Sequence, residues 1–555
     1  MSKREIKFGN ATRRHALALL GAGGIAATIR PDLLHGDATA APAQKPSGQV
    51  VIGVTQEPAT FNPLMPLTAA DLAVAFAVFD PLFIALPDGS LKPALAAEVP
   101  SVANGGITAD GLNWRVKLKS GIKWHDEAPF TAEDVKFTIE LAVDPSFRSG
   151  RTTGHSLVSD IVIHSPTEIS WKMKAPVAPY LSILADTFIV PKHILGPESD
   201  RNNAPFNRAP VGTGPFKWVS RTSGNNIILA ANPDYASDGP SIDRIIFKYI
   251  PDQTVLYTQF ASGQVDMTGV LYVSPENFAA AKKVPGANVD LIPTLSVEAI
   301  TLNMGNPLFQ DAAVREAIYY SIDKQRIIDT IWYGVPTATE SLTAKESFYS
   351  NPDLPKHEFD LERVKRLLDG AGWKLRSDGV RAKDRLRLSF TNSTTSGNSL
   401  REQTQLYIQQ SLKSVGIEMK IANQPSASLF GEFWNLSRFE SILAANTYQT
   451  GTDPDVTARL HSSSIAAKGG KGVNQGQYAN PEVDRLLEEG VRTFKPEDRR
   501  PIYFKIQEIV RKDLPILPLF IWTYVRGRKQ NVVGADPNRF VRAADTWNAA
   551  GWKRA

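Results

Sequence analysis

The chain has 555 residues, 42% hydrophobic and 21% charged, an ordinary composition for a soluble globular protein and too long for a single core, so two to four lobes are expected. It contains no cysteine, which excludes disulfides, thiolate metal sites, a cysteine nucleophile and a lipid-modified N-terminal cysteine. Beyond residue 40 the charges nearly cancel, at 56 basic against 54 acidic residues, and nothing in that balance asks for nucleic acid or an anionic membrane as partner.

Residues 1–40 read as an export signal. Lys3, Arg4, Lys7, Arg13 and Arg14 form a basic head, and "ALALLGAGGIAATI" (Ala16–Ile29) is too short to span a bilayer. "ATA" at Ala38–Ala40 is a small-x-small cleavage site, so a periplasmic mature chain starting near Ala41 is expected. "TRRHALALLG" resembles a twin-arginine signal, with Arg13 and Arg14 as the pair. Ala16 stands where that signal usually has a bulky apolar residue, which leaves the general secretory route as the alternative.

"APAQKPSG" (Ala41–Gly48) is a flexible leader, and "QVVIGV" (Gln49–Val54) a strand. From there to about Asp200 the pattern is strands and turns with one clear helix. Thr131 is its N-cap, Asp134 lies at capping-box distance, and Val135, Ile139 and Ala142 share its inner face. "WRVKLKSGIKW" before it alternates like an exposed strand pair. From Asp311 the pattern becomes α/β. Val314, Ala317, Ile318 and Ser321 share a helical face. Asp323 caps a helix ended by Gly334, and Asp360 caps "LERVKRLLDG". "RLRLSF" (Arg385–Phe390), a helix near Leu400–Val415 and "IEMKI" (Ile417–Ile421) make strand–helix–strand. "SSSIAAKGGKGVNQGQ" (Ser462–Gln477) reads as a mobile surface loop. Asn480-Pro481 opens a helix, "IYFKIQEIV" is amphipathic, and "LPILPLFIWTYV" (Leu514–Val525) is an apolar strand able to return to the first lobe.

Signs of catalysis are weak. The six histidines beyond residue 40 (His125, His155, His164, His193, His357, His461) never fall within a helical turn of one another, so no local metal-ligand pair exists. No Walker A loop, G-x-S-x-G or H-E-x-x-H occurs, and "GGKG" (Gly469–Gly472) does not follow a strand. His125, Asp126 and Glu127 are adjacent, but they sit in a connection into a helix. Neighbours in a turn point different ways and supply neither an oriented base nor its partner, so they read as scaffold. Phe433, Trp434 and Tyr448 flank loops in one region, where an aromatic-lined cleft is expected.

"LKPALAAEVP", "DGLNWRVKLKSGIKWHDEAPFTAEDVKFTIE", "PVGTGPFKW", "NPDYASDGPSIDRIIFKYIPD", "LNMGNPLFQDAAVREAIYYSIDKQRIID", "LLDGAGW" and "YANPEVDRLLEEG" occur in that order. Together they resemble family 5 bacterial extracellular solute-binding proteins of the oligopeptide, dipeptide, nickel and opine type, the ligand carriers of ATP-binding-cassette (ABC) importers. One departure is Glu127, where that family usually has glycine.

The resemblance implies an α/β, two-lobed periplasmic binding protein type II fold with an extra subdomain inserted in the N-terminal lobe. The expected parts are signal 1–40, leader 41–48, first lobe 49–80, inserted subdomain 81–200, first lobe again 201–298, second lobe 299–521, and a C-terminal first-lobe segment 522–555. Hinge strands fall near Val297–Met304 and Phe520–Val525. The implied function is capture of a peptide or peptide-like small solute between the lobes and delivery to an inner-membrane permease. The protein would be a monomer, without cofactor, metal or catalytic residues. A secreted hydrolase of peptides or glycosides is the competing reading, and the absent nucleophile motifs count against it. The expected ligand-binding residues are Gln56, Glu57, Phe61, Asn303, Trp434, Asn446, Tyr448, Thr450 and Asp453.

Peptide-binding members hold the ligand's α-amino group with an acid in a segment resembling Asp-x-x-(Asp/Glu)-Pro. Here that segment is "TGTDPD" (Thr450–Asp455), and Thr450 takes the acid's place. A hydroxyl brings no charge, and a charge-assisted bond is about twice as strong as a neutral one. Either free-amino peptides bind weakly and a modified peptide, opine-like conjugate or glycoside is preferred, or Asp453 or Asp455 turns inward and replaces the acid.

Overall fold

The computed structural model describes residues 46–235, 239–269, 273–542 and 545–555. The export segment 1–40 and most of the leader lie outside the described residues. The two longest strands, Ala287–Leu302 and Ile516–Lys529, pair antiparallel along most of their length. They occupy the middle of an 11-stranded mixed sheet. On one side follow Ser441–Thr447, Ser389–Ser393 and Glu418–Ile421. On the other follow Met267–Thr268, Gln49–Val54, Arg244–Tyr249, Asn226–Ala231 and Phe216–Thr222.

Each flank builds its own core. Val50, Ile52, Phe79, Phe216, Ile245 and the C-terminal Trp552 pack on the first flank. Leu302, Ile318, Trp373, Phe390, Leu412 and Phe520 pack on the second. There, Ser389–Ser393 and Glu418–Ile421 lie parallel, joined by helix Ser399–Ser414, the expected strand–helix–strand. A third core joins Trp114, Trp124, Ile139, Trp171 and Tyr180 around a separate three-stranded sheet.

Four local features differ from the sequence pattern. Helix Ala69–Val78 was not expected. Apart from Asp71, which caps its first turn with Thr68, it is apolar all round, and every residue from Ala70 to Val78 is buried, so it has no amphipathic period to betray it. Strand Asn113–Lys117 pairs with Glu168–Met173 rather than with its own sequel, since Gly121 turns the chain away. The 385–390 segment is broken. Leu386–Arg387 closes a small hairpin sheet, and Ser389–Ser393 enters the main one. The segment Ser462–Gln477 is pinned rather than loose. It makes two short 3-10 turns, and buried Asn474 donates to the carbonyls of His461 and Tyr478.

The His125-Asp126-Glu127 turn is scaffold. Glu127 takes φ +71°, the left-handed region where glycine costs least, and Lys123 lies 3.2 Å from its carboxylate. His125 Nδ1 accepts from the Gly212 amide (3.2 Å), and its Nε2 donates to the Gly214 carbonyl (3.0 Å), so the ring staples the turn to the 212–214 loop. Burial pushes the His125 pKa down to about 4. Burial, aided by Arg151, does the same to His155, which lies between the hydroxyls of Tyr180 and Thr187. Between pH 6.5 and about 4 the unfolded chain therefore takes up protons that the fold refuses. Stability is full above pH 6.5 and falls with pH, by about 3 kcal/mol per histidine once pH 4 is passed. Urea unfolding at pH 7 and pH 5 should show this loss, and a smaller one in His125→Gln. An equal loss in both proteins would contradict the assignment.

Candidate functional site

The main ladder shifts register twice, at Pro293/Val297 and at Glu298/Ala299, and the first and wider break opens onto a cavity. Register shifts between Pro293 and Val297, where proline has no N–H to give to Ile516–Lys529. The residues in the break, Thr294, Leu295 and Ser296, turn to a cavity of about 570 Å³. Thr294 donates its hydroxyl to the Trp522 carbonyl (2.9 Å), and the Ser296 and Thr447 hydroxyls meet at 2.8 Å. A volume of this size suits a small organic ligand.

The cavity lies between the two flanks of the sheet. One wall comes from Leu72 and Phe76 of helix Ala69–Val78, Arg151, and Ser182 and Ile183 of helix Tyr180–Ala185 with Asp186 at its end. The opposite wall is Thr447 and Gln449–Thr452, beyond strand Ser441–Thr447. The C-terminal segment adds Arg539, Phe540 and Arg542. Tyr524 lines this cavity and also a second of about 840 Å³, which extends past Trp522, Trp332 and Phe430 to the start of helix Ser399–Ser414.

The walls touch. Ser182 Oγ donates to the Thr450 carbonyl (2.9 Å) and accepts from the Thr452 amide (2.9 Å). Gly451 makes this approach feasible. Its φ is +58°, and a Cβ there would stand 2.6 Å from Ser182 Oγ.

Of the nine residues expected from sequence, Thr450 alone lines the wall-to-wall cavity of about 570 Å³. Trp434, Asn446 and Tyr448 do come together, but around a space of about 10 Å³, room for a single water. Trp434 stacks on Phe439 in a satellite core. Asn303 is buried. Its amide donates to the carbonyls of Ser437 and Phe439, and its oxygen accepts from Gly305 and Gln477. Gln56 is exposed, Glu57 pairs with Arg221 (2.7 Å), and Phe61 packs on Trp218. Asp453 is buried in a two-pronged pair with Arg499 (2.7 and 3.0 Å). Burial opposes the charge on Arg499, yet Asp453 beside it holds the guanidinium pKa above its ordinary value. Asp455 takes the amide and hydroxyl of Thr457, and burial, then the charge of Asp453, raises its pKa.

Sequence reasoning missed Arg151, Ser182, Asp186, Arg539 and Arg542. Arg151 and Arg542 both bond Asp186 Oδ2 at 2.5 Å, and Arg539 bonds Glu346. Arg151 lies 35 positions from Asp186 and Arg542 lies 356, so no local spacing links the three. The basic run "RSGRTTGH" was the single local hint.

Asp453→Ala should cost about 3–5 kcal/mol of stability, because it strands a buried guanidinium. Gly451→Val should leave that pair intact and weaken affinity for a small organic ligand of the cavity at least tenfold. Thermal unfolding and calorimetry of both variants check this pairing. An unchanged melting temperature with lost affinity in Asp453→Ala would instead make that carboxylate a ligand contact.

Residues 90–468 match the family model described as bacterial extracellular solute-binding proteins, family 5 Middle. The oligopeptide-binding protein AppA of Bacillus subtilis (strain 168) is 29% identical over 514 residues, 91% of each chain. Its structure with a nonapeptide superposes with a TM-score of 0.73 at 27% identity, covering 92% of this chain and 100% of that one. The nickel-binding periplasmic protein of Escherichia coli (strain K12) is 26% identical over 480 residues, 84% of this chain and 88% of the relative. The structure of NikZ from Campylobacter jejuni with Ni(L-His) gives a TM-score of 0.75 at 25% identity, covering 91% and 99%.

Proposed function

We infer, because this chain belongs to the family 5 bacterial extracellular solute-binding proteins, that it captures a peptide or peptide-like solute between its lobes and delivers it to an ABC permease in the inner membrane. The competing hydrolase reading falls with the family, whose members bind solutes rather than transform them.

The observation that carries the reading is the cavity of about 570 Å³ with walls from both flanks of the sheet. A ligand that touches both walls stabilises the arrangement in which they meet, and a permease can recognise that arrangement. The similarity to AppA, whose structure holds a nonapeptide, supports a peptide cargo. The similarity to NikZ, whose structure holds Ni(L-His), supports a metal chelate as second cargo class. In that case the metal would arrive inside an organic carrier. Among the described residues no group of three His, Asp or Glu side chains is placed to hold an ion.

The reading takes 299–521 as the second lobe and 49–298 with 522–555 as the first, including the inserted 81–200 subdomain. Support comes from two of the cores, one drawn wholly from 299–521 and one from 81–200, while the first core also takes in Leu141, Phe147, Phe188, Val190 and Leu195 of the inserted segment and Ala344. It also takes the mature chain as periplasmic, cleaved near Ala40.

Native mass spectrometry of protein isolated from the periplasm tests the function. The expected result is one intact organic solute per chain, exchangeable with di- to pentapeptides in calorimetry. Turnover of a peptide or glycoside library, with no retained solute, would overturn it.

A further inference from the structure

The charges around the wall-to-wall cavity of about 570 Å³ are not those of an amine site. Among its described lining residues Asp186 is the one acidic side chain, against Arg151, Arg539 and Arg542. Arg539 is engaged by Glu346. Arg151 and Arg542 share the single carboxylate of Asp186, both at 2.5 Å from the same oxygen. The trio carries a net positive charge. Arg151 holds its side chain at 9% exposure, where an uncompensated cation is costly. Each guanidinium has five N–H donors in a planar fork, so one contact to Asp186 leaves capacity for a second oxyanion.

Two further observations point the same way. Arg542 sits at φ +56°, ψ +32°, left-handed geometry that a non-glycine residue adopts at a cost, and this conformation delivers its side chain to Asp186. On the opposite wall the segment expected to clamp an ammonium offers no open acid. Thr450 carries no charge, Asp453 is engaged by Arg499, and Asp455 by Thr457.

We propose that the cleft takes an organic anion, a peptide or peptide-like acid with its amine blocked, whose carboxylate is received by Arg151 and Arg542. This rests on the solute-binding reading above and specifies its ligand. A zwitterionic peptide gains the same carboxylate contact but brings an ammonium that meets no free acid and lies near two guanidinium groups.

The test uses three pools of the same mixed-sequence tetrapeptides with ligand-depleted full-length mature protein in calorimetry. One pool is N-acetylated with a free carboxylate, one is zwitterionic, and one has a free amine and a C-terminal amide. The acetylated acids should bind at least tenfold tighter than the amides, and added salt should shrink the ratio. Arg542→Gln, whose side chain is half exposed, should bring the ratio below threefold with an unchanged circular dichroism spectrum. Equal binding of all three pools, or amides binding best, overturns this inference and leaves the solute-binding reading standing. A protein that binds none of the pools overturns the peptide reading and this inference together. The comparison among pools on the unmodified protein decides the matter even if Arg542→Gln fails to fold.

Discussion

Everything in this structure hangs on one pair of strands. Ala287–Leu302 and Ile516–Lys529 run side by side through the middle of the sheet, so each belongs to both flanks. Below the break at Pro293 they are tied to the second flank by a buried ion pair. Glu298 receives two bonds from Arg401 (2.8 and 2.9 Å), and the guanidinium lies 5.2 Å from the ring of Trp522. Glu298 is fully buried. A carboxylate so placed is tolerated only with a well-aligned partner, and losing one member of such a pair costs about 3–5 kcal/mol. The pair therefore fixes where helix Ser399–Ser414 meets the crossing strands.

The same constraint makes the site. A ladder without a break would point alternate side chains at cores on both faces. Proline at 293 removes a donor, the register slips, and three residues are released to face the cavity. Helix Tyr180–Ala185 then reaches across to the 450–452 turn, where Gly451 lets Ser182 come close to the backbone. The result is a chamber whose floor belongs to the crossing strands and whose walls come from the two flanks of the sheet. Under the proposed function, a ligand that touches both walls would favour their approach.

The fold was legible wherever the chain follows a local rule. Thr131 with Asp134, Asn480 with Pro481, and the caps at Asp323 and Asp360 all begin helices as their chemistry requires. Helix Ala69–Val78 was missed because its run beyond Asp71 is apolar on every face and carries no period, although Thr68 with Asp71 is a capping box. Glu127 shows the opposite case. Its left-handed φ is the physical reason a glycine is usual there, and the turn keeps its shape with glutamate while the His125 ring staples it to the 212–214 loop.

The site was far less legible. Trp434 and Tyr448 were attractive as aromatics beside loops, yet both are core side chains. Asp453 looked like a clamp from its motif, but Arg499, 46 residues later, has engaged it. Arg151, Asp186 and Arg542 come from three separate stretches, and the two arginines' attachment to one oxygen is a tertiary fact with no local trace.

The central claim is that the lobes close on a solute about the two crossing strands. Small-angle X-ray scattering of the mature protein, stripped of solute and then saturated with it, tests this most directly. The account predicts a smaller radius of gyration and a more compact pair-distance distribution in the loaded state, reversed when the solute is removed. Superimposable scattering curves for the empty and the saturated protein would contradict it.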